Sequence, residues 1–213
     1  RRDVEDVREP ALREHLELRG GVLLPRAVTL EEEHHRAVAV DHEVRRLREK
    51  LRDEPTEEAS PEERACANQL LELRRALKEA IGNVQSCRTC AIGHPPPHGH
   101  FSGGHCCGLQ TEDAFNDDEL SALRLSGTMA RDLRLPRGDH AGCSFRGPTG
   151  CSLRVEHQPN LCVRYLCPDL FREVYGRGDG AKIEALCDEM EAVYLRFIKL
   201  RAARLADWES DRL

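Results

Sequence analysis

The sequence predicts a mainly α-helical protein in which a helical hairpin and a long C-terminal helix surround a loop-rich, cysteine-rich core. Three observations lead to this fold class. Two segments before residue 85 carry apolar residues at heptad spacing, residues 181–208 carry an amphipathic helical pattern, and the stretch between them is rich in Gly, Pro and Cys. Heptad patterns are typical of packed helices, whereas Gly and Pro favour loops. We therefore divide the sequence into a helical region, 1–85, and a cysteine-cluster domain with a C-terminal helix, 86–213.

The first half is predicted to be helical, with a short charged segment at 1–19 that Gly20-Gly21 interrupts. A first helix runs from about Ala27 to Arg52, and a second begins with Ser60 as N-cap and Pro61 at the first helical position. The first seam is Ala37, Val40, Val44, Leu47 and Leu51, and the second is Cys66, Leu70, Leu73, Leu77, Ala80 and Val84. Two heptad helices joined by a short connection predict an antiparallel hairpin.

Only short elements are expected between this hairpin and the final helix. Asp117-Asp118-Glu119 begins a helix that ends near Leu125, and Pro168 begins another that ends near Tyr175. Strand patterns are weak, with one short piece near Cys151–Val155. The final helix runs from about Ala181 to Trp208, and its apolar face includes Ile183, Leu186, Cys187, Met190, Tyr194, Phe197 and Leu205.

Composition and charge exclude several classes of protein. Charged residues make up 33% of the chain, but the net charge is −6 and no run of Lys or Arg forms a surface for nucleic acid. The sequence contains no stretch of about 18 apolar residues, so no membrane span is predicted. Residues 1–6 lack the apolar core of a signal peptide. Because the sequence does not begin with Met, it leaves open whether a leader precedes Arg1.

We expect a cytoplasmic protein. In a reducing cytoplasm, clustered cysteines bind metal or do redox chemistry more often than they form disulfides. The even number of cysteines, ten, keeps a disulfide framework as an alternative.

Eight of the ten cysteines lie within residues 87–167. Thiolates are preferred ligands of zinc and of iron–sulfur clusters, and a site usually takes four of them. Neighbouring side chains diverge, so the adjacent pair Cys106-Cys107 suits two sites or a multi-metal cluster better than one zinc ion. The pattern therefore favours an iron–sulfur cluster over zinc. The expected metal ligands are Cys87, Cys90, Cys106, Cys107, Cys143, Cys151, Cys162 and Cys167.

These cysteines lie in a pattern that resembles a known family. The matching pieces are Gly142-Cys143-Ser144-Phe145, Gly150-Cys151-Ser152-Leu153 and the segment from Gln158-Pro159-Asn160 through Cys162 to Cys167. Upstream, the CxxC at Cys87, the pair Cys106-Cys107 and Thr111-Glu112-Asp113 also match. Over residues 86–170 the chain resembles the YkgJ-type cysteine-cluster family, described as zinc- or iron-chelating domains. The resemblance implies a metal site and defines no reaction.

The chain departs from the family pattern at three places. Gln158 stands where the family usually has Arg, and Leu166 stands where it usually has Pro. Fifteen residues separate Cys90 from Cys106, where family members have two or three. Within them, the His-, Pro- and Gly-rich insertion 93–105 holds four histidines: His94, His98, His100 and His105. We expect a solvated loop there; the alternatives are His105 as a ligand and a gate for a substrate.

Other chemically active side chains have simpler interpretations. Cys66 and Cys187 lie on apolar helix faces and are expected in the core, and His35 and His42 are expected on a solvated face. His157 is expected at the surface, with support of a metal ligand as the alternative. Four arginines adjoin cluster cysteines and either stabilise negative charge there or serve solubility: Arg88, Arg146, Arg154 and Arg164.

Three classes of function remain open. The leading hypothesis is a protein that holds an iron–sulfur cluster, iron or zinc, in electron transfer or as a redox-linked accessory. The alternative is a structural-zinc module whose helical hairpin forms a homo-oligomer or docks onto a protein partner. An enzyme is the third class, but the sequence has no Ser-His-Asp pattern, phosphate-binding Gly loop or HExxH motif. We assign no catalytic residues.

Overall fold

A computed structural model describes residues 16–19, 22–25, 30–56, 58–86, 111–136, 143–147 and 150–210. Over these residues the protein is mainly helical, as the sequence predicts. The chain divides into two compact units, Arg1–Ala39 and Val40–Leu213. The division by composition at residues 85 and 86 stays a prediction.

The first unit contains an antiparallel pair of strands, β1 (Leu16–Arg19) and β2 (Val22–Pro25), in which Leu18 pairs with Leu23. The prediction of a helical first half was wrong here. Apolar and charged residues alternate in Leu16-Glu17-Leu18-Arg19, and Gly20-Gly21 separates the two runs. A double glycine between short alternating segments favours a hairpin, and this local pattern prevails over the helical composition of its surroundings.

Two long helices follow. Helix α1 spans Leu30–Asp53 and helix α2 spans Pro61–Ile81. The start of α2 is a reciprocal cap, since the Ser60 hydroxyl accepts from the Glu63 amide at 3.1 Å and the Glu63 carboxylate accepts from the Ser60 amide at 2.9 Å. Gly82, with φ of 61°, ends α2. The start of α2 agrees with the sequence-based prediction.

Short elements connect α2 to the C-terminal helices. They are α3 (Thr111–Ala114), α4 (Asp117–Leu125), a 3-10 turn (Ala130–Asp132), the antiparallel strands β3 (Arg146–Gly147) and β4 (Gly150–Cys151), a second 3-10 turn (Val155–His157) and α5 (Asn160–Arg164). The strand predicted near Cys151–Val155 is confirmed only at its start, because the chain turns into a 3-10 conformation at Val155. Helices α6 (Pro168–Gly176) and α7 (Gly180–Ser210) complete the fold.

A first hydrophobic cluster lies between α2 and α7. Leu70 and Leu77 of α2 are fully buried, as are Ile183, Met190 and Phe197 of α7. Burying an aliphatic or aromatic side chain contributes about 1.5–3 kcal/mol, so this interface is a large part of the stability of the second unit. The apolar face predicted for the final helix is confirmed at these positions.

The seam of α1 belongs to a second hydrophobic cluster. Val44, Leu47 and Leu51 pack among Phe115, Phe145 and neighbouring apolar residues that follow α2. In the predicted hairpin, the seams of α1 and α2 would face each other, and this part of the prediction was wrong. A heptad pattern identifies the apolar face of a helix but not the element against which that face packs.

Among the helices that the structure describes, none is long and apolar enough to cross a membrane.

Candidate functional site

Cys151 lies in β4 of the β3–β4 hairpin, and Cys143 lies in the turn that leads into β3. The Arg146 amide donates to the Cys143 carbonyl at 2.9 Å, and Arg146 in β3 pairs with Cys151 in β4. Cys143 is half-buried against the second hydrophobic cluster, whereas Cys151 is exposed. The hairpin therefore fixes both cysteines relative to the core that contains Phe145.

Cys162 and Cys167 lie on the next two helices. Cys162 is in the middle of α5 and packs against the second cluster, and Cys167 packs against the first cluster. Cys167 is also the N-cap of α6, where its sulfur accepts from the Leu170 amide at 3.4 Å, with Pro168 at the first helical position.

Over the described part of the chain, no group of three or more His, Cys, Asp or Glu side chains could hold a metal ion. Cys87, Cys90, Cys106 and Cys107, as well as the insertion 93–105, lie outside the described residues. The described structure thus contains half of the predicted ligand set.

A buried polar network fixes helix α5, which carries Cys162. Arg74 of α2 donates to the Asn160 side-chain oxygen at 2.9 Å and to the Ser126 hydroxyl at 3.1 Å. The Glu119 carboxylate of α4 accepts from the Asn160 amide at 3.1 Å and from its side-chain NH₂ at 2.9 Å. Arg74, Glu119 and Asn160 are each at most 2% exposed. One asparagine therefore joins α2 and α4 to the first turn of α5.

Burial dominates the electrostatics of this network. It raises the pKa of Glu119 to about 7, although hydrogen bonds from Asn160 and the charge of Arg74 act in the opposite direction. Burial likewise lowers the pKa of Arg74 to about 10. The carboxyl group of Glu119, which accepts from the first residue of the helix that carries Cys162, therefore has a pKa near neutral pH.

A second polar group joins the turn that contains Cys143 to Thr111, which follows Cys106-Cys107 in the sequence. The Ser144 amide donates to the Thr111 hydroxyl at 3.1 Å, and the Thr111 hydroxyl lies 3.2 Å from the Ser144 hydroxyl. The Ser144 hydroxyl in turn donates to the Glu43 carboxylate of α1. Thr111 and Ser144 are at most 2% exposed. Thr111 is four residues after Cys107 in the sequence.

A third group fastens the residues that precede Cys87. The Glu173 carboxylate of α6 accepts from the Ser86 amide at 3.0 Å, from the Ser86 hydroxyl at 2.8 Å and from the Gln85 amide at 2.8 Å. These donors hold the pKa of Glu173 below its usual range. Both described residues that flank the stretch 87–110 are therefore bonded to elements that carry the later cysteines: Ser86 to α6, and Thr111 to the hairpin of Cys143.

Three of the four arginines that adjoin cluster cysteines lie among the described residues. Arg164 pairs with Glu191 at 3.1 Å, and Arg154 lies 3.4 Å from Glu156. Arg146 is buried, and Arg88 lies outside the described residues. These contacts agree with charge balance at the surface for Arg154 and Arg164.

The remaining cysteines and histidines largely follow their predictions. Cys66 is buried in the first cluster, and Cys187 packs at its edge, where its thiol donates to the Arg164 carbonyl at 3.6 Å. His42 is exposed. His157 is half-buried rather than at the surface; its Nδ1 lies 3.0 Å from the Thr128 hydroxyl, and burial lowers its pKa.

Sequence reasoning missed Arg74, Glu119 and Glu173. A signal existed for Arg74, because its spacing of four from Leu70 and three from Leu77 places it on the apolar seam of α2. An arginine on such a seam requires a buried partner. Nothing in the sequence distinguishes Glu119 and Glu173 from the other acidic residues at helix positions.

Comparison with known proteins adds no assignment: no family model matches the chain, and no curated protein or solved structure matches it. The resemblance to the YkgJ-type family therefore rests on the quoted residues alone.

Proposed function

We propose that this chain is a cytoplasmic metal-binding protein of the YkgJ type that holds an iron–sulfur cluster on cysteine thiolates, with iron or zinc as the alternative metal. The observation that carries the proposal is the presence of eight cysteines in two groups of four within residues 87–167. An iron–sulfur cluster supplies a one-electron redox centre, which suits electron transfer or a redox-linked accessory role.

The hydrogen bonds of Ser86 and Thr111, the described residues on either side of the stretch 87–110, support this proposal. Ser86 is one residue from Cys87, and Thr111 is four residues from Cys107. Ser86 is hydrogen-bonded to α6, whose N-cap is Cys167, and Thr111 is hydrogen-bonded to Ser144, next to Cys143. The described residues on both sides of the stretch 87–110 are therefore hydrogen-bonded to residues of the elements that carry the second cysteine group.

The proposal requires both groups of cysteines. The second group, Cys143, Cys151, Cys162 and Cys167, is spread over a hairpin and two helices, and by itself gives no group of three metal-binding side chains within the described residues. Because no three of the described side chains come together, a site of four thiolates would take at least two from Cys87, Cys90, Cys106 and Cys107.

Purification without oxygen, followed by assay of iron, acid-labile sulfide and zinc per chain, tests the proposal. We expect brown protein with iron and sulfide in matching amounts. Colourless protein with tightly held zinc would make the site structural and remove electron transfer. Protein that retains none of the three would contradict metal binding.

A pair of cysteine variants tests the ligands. We expect Cys162→Ala to lower the metal content of the purified protein, because it removes a thiolate from the proposed set. Cys66→Ala is the matched control: it removes a buried thiol from the first hydrophobic cluster, outside the proposed set, and is expected to retain the metal. Equal metal content in the two variants would remove Cys162 from the ligand set.

The interaction-module alternative loses part of its basis. The heptad seams motivated it, and Val44, Leu47 and Leu51 of α1 and Leu70 and Leu77 of α2 are buried within the second unit. A homo-oligomer or a docked partner would then contact side chains other than these five.

A further inference from the structure

Helix α7 carries a second series of heptad-spaced residues, on the side that faces solvent. These residues follow one another at intervals of three or four and are all exposed: Ala185, Asp188, Ala192, Leu195, Lys199 and Ala202. At about 100° per residue, Lys199 lies about 180° around the helix from Met190, which is buried in the first hydrophobic cluster. This series, the outer seam of α7, therefore lies opposite the face that packs on α2.

Leu195 is the apolar centre of the outer seam. It is 51% exposed, more than any other large apolar residue in the described part of the chain. The alanines of the seam leave room for a second helix, since an interaxial distance of about 8 Å, at the short end of the usual range, requires small side chains at the contact. A single exposed leucine is ordinary on a protein surface, so the charged residues have to indicate how the seam is used.

The outer seam is complementary to itself when two copies of α7 run antiparallel. A twofold axis level with the bond between Val193 and Tyr194 places each seam residue opposite a seam residue of the second copy. The pairs, each formed twice, are Ala185 with Ala202, Asp188 with Lys199, and Ala192 with Leu195. A parallel pair in register would instead set Asp188 against Asp188 and Lys199 against Lys199, and such like-charge contacts cost free energy.

Charged residues beside the seam follow the same order. Glu189 comes directly after Asp188, Arg196 comes directly after Leu195, and both are exposed. Positions that flank a seam meet across a pair of helices, so the same axis brings Glu189 near Arg196 of the second copy. Glu189 also accepts from the Gln69 side chain of α2 at 3.2 Å, and a carboxylate has acceptor sites for further donors.

We propose that the outer seam of α7 is a homodimer interface in which two copies of this chain pair antiparallel. The occupant is a second copy rather than an unrelated helix, because the order of charges along the seam matches its own reverse. The dimer is reversible and weakened by salt, since exposed ion pairs contribute little and are screened. Metal binding is not required for this pairing.

Two other basic residues of α7 take no part in the interface. Arg201 pairs within the chain with Asp118 at 2.9 Å. Arg204 pairs with Glu63 at 3.0 Å. The complementarity between two copies therefore rests on Asp188 and Lys199, with Glu189 and Arg196 beside them.

Sedimentation velocity of the full chain over a range of protein concentrations, with a thiol reductant to prevent intermolecular disulfides, tests the interface. We expect a dimer that forms as the concentration rises and dissociates with added salt. Leu195→Glu places a carboxylate opposite Ala192 of the second copy and is expected to raise the dissociation constant about tenfold or more. Because Leu195 is exposed in the monomer, this variant is expected to keep its fold, which circular dichroism checks.

Charge reversal tests the antiparallel direction. Asp188→Lys and Lys199→Asp each set like charges against each other and are expected to weaken the dimer, whereas the double variant restores opposite charges and is expected to dimerise as the wild type does. In a parallel pair, the double variant would gain nothing over the single variants. Glu79→Lys, an exposed charge reversal on α2, is the matched control and is expected to behave as the wild type.

Three results would contradict this interface. A wild-type chain that stays monomeric at every concentration would exclude it. A dimer that Leu195→Glu leaves unchanged would use another surface. Single charge reversals that weaken the dimer without recovery in the double variant would contradict antiparallel pairing. Each of these results leaves metal binding untouched, since no residue of the outer seam is a proposed ligand.

Discussion

Individual polar side chains place the cysteine-bearing segments in this protein. Asn160 is the clearest case, because it accepts from Arg74, donates to Glu119 and begins helix α5, two residues before Cys162. Each of these groups is buried, and an unpaired buried polar group costs about 1–3 kcal/mol. The network therefore favours one position of α5, since any other leaves a buried guanidinium or carboxyl group without its partner.

Truncation of Asn160 tests the cost of opening this network. We expect Asn160→Ala to lower the free energy of unfolding by about 2–4 kcal/mol, because it removes partners of both Arg74 and Glu119. Asn68→Ala is the control: Asn68 is exposed on α2, and its replacement is expected to change stability by less than about 0.5 kcal/mol. Chemical denaturation of both variants measures the difference. Equal midpoints for the two would contradict the role of the network.

The pKa of Glu119, raised by burial to about 7, gives stability a defined pH dependence. Because the folded chain holds the proton more tightly than the unfolded chain, this contribution is full below about pH 4.5 and is lost as the pH rises to about 7. We expect the free energy of unfolding of the wild type, minus that of Glu119→Gln, to increase by about 1 kcal/mol per pH unit as the pH falls from 7 to 5.

Denaturation of both proteins at matched pH and metal content isolates this group, since all other titrations are shared. A difference that stays flat between pH 5 and pH 8 would show an ordinary pKa. A difference that grows with rising pH would show that the amide donors of Asn160 outweigh burial.

At the scale of elements, helix ends and buried helix positions could be predicted from the sequence, but the elements against which the helices pack could not. The N-cap at Ser60, the stop at Gly82 and the buried positions Leu70 and Leu77 all follow from a few neighbouring residues. The packing of α2 against α7 rather than α1 could not be deduced, because both carry apolar faces and the sequence does not rank them. The strands β1 and β2 were missed although the double glycine marks them.

The hairpin of β3 and β4 offers a test at this scale. A Cβ added to Gly147 would lie 2.6 Å from the Pro136 Cβ, and a proline ring cannot rotate away. We expect Gly147→Ala to cost about 1–3 kcal/mol, as overpacking does, and to disturb the pairing of Arg146 with Cys151. Gly176→Ala, where no atom lies within 4 Å, is expected to be neutral or slightly stabilising. Thermal unfolding compares them, and equal melting temperatures would refute the close approach of Pro136.

At the scale of the whole molecule, the sequence identifies candidate metal ligands but does not indicate which contacts hold the segments that carry them. The cysteines were identifiable because eight thiols in 81 residues stand out from any background. The hydrogen bond between Glu173 and Ser86 joins residues 87 positions apart, and no local sequence pattern predicts such a bond. The ligand set itself, from Cys87 to Cys167, stays a prediction.

The most direct test of the central claim is X-ray absorption at the metal edges of protein purified without oxygen, which counts the sulfur atoms around each bound metal. The account predicts an iron edge with a sulfur shell, or failing that a zinc edge with about four sulfur atoms near 2.3 Å. Bound metal surrounded only by nitrogen and oxygen, or protein without iron or zinc, would contradict it.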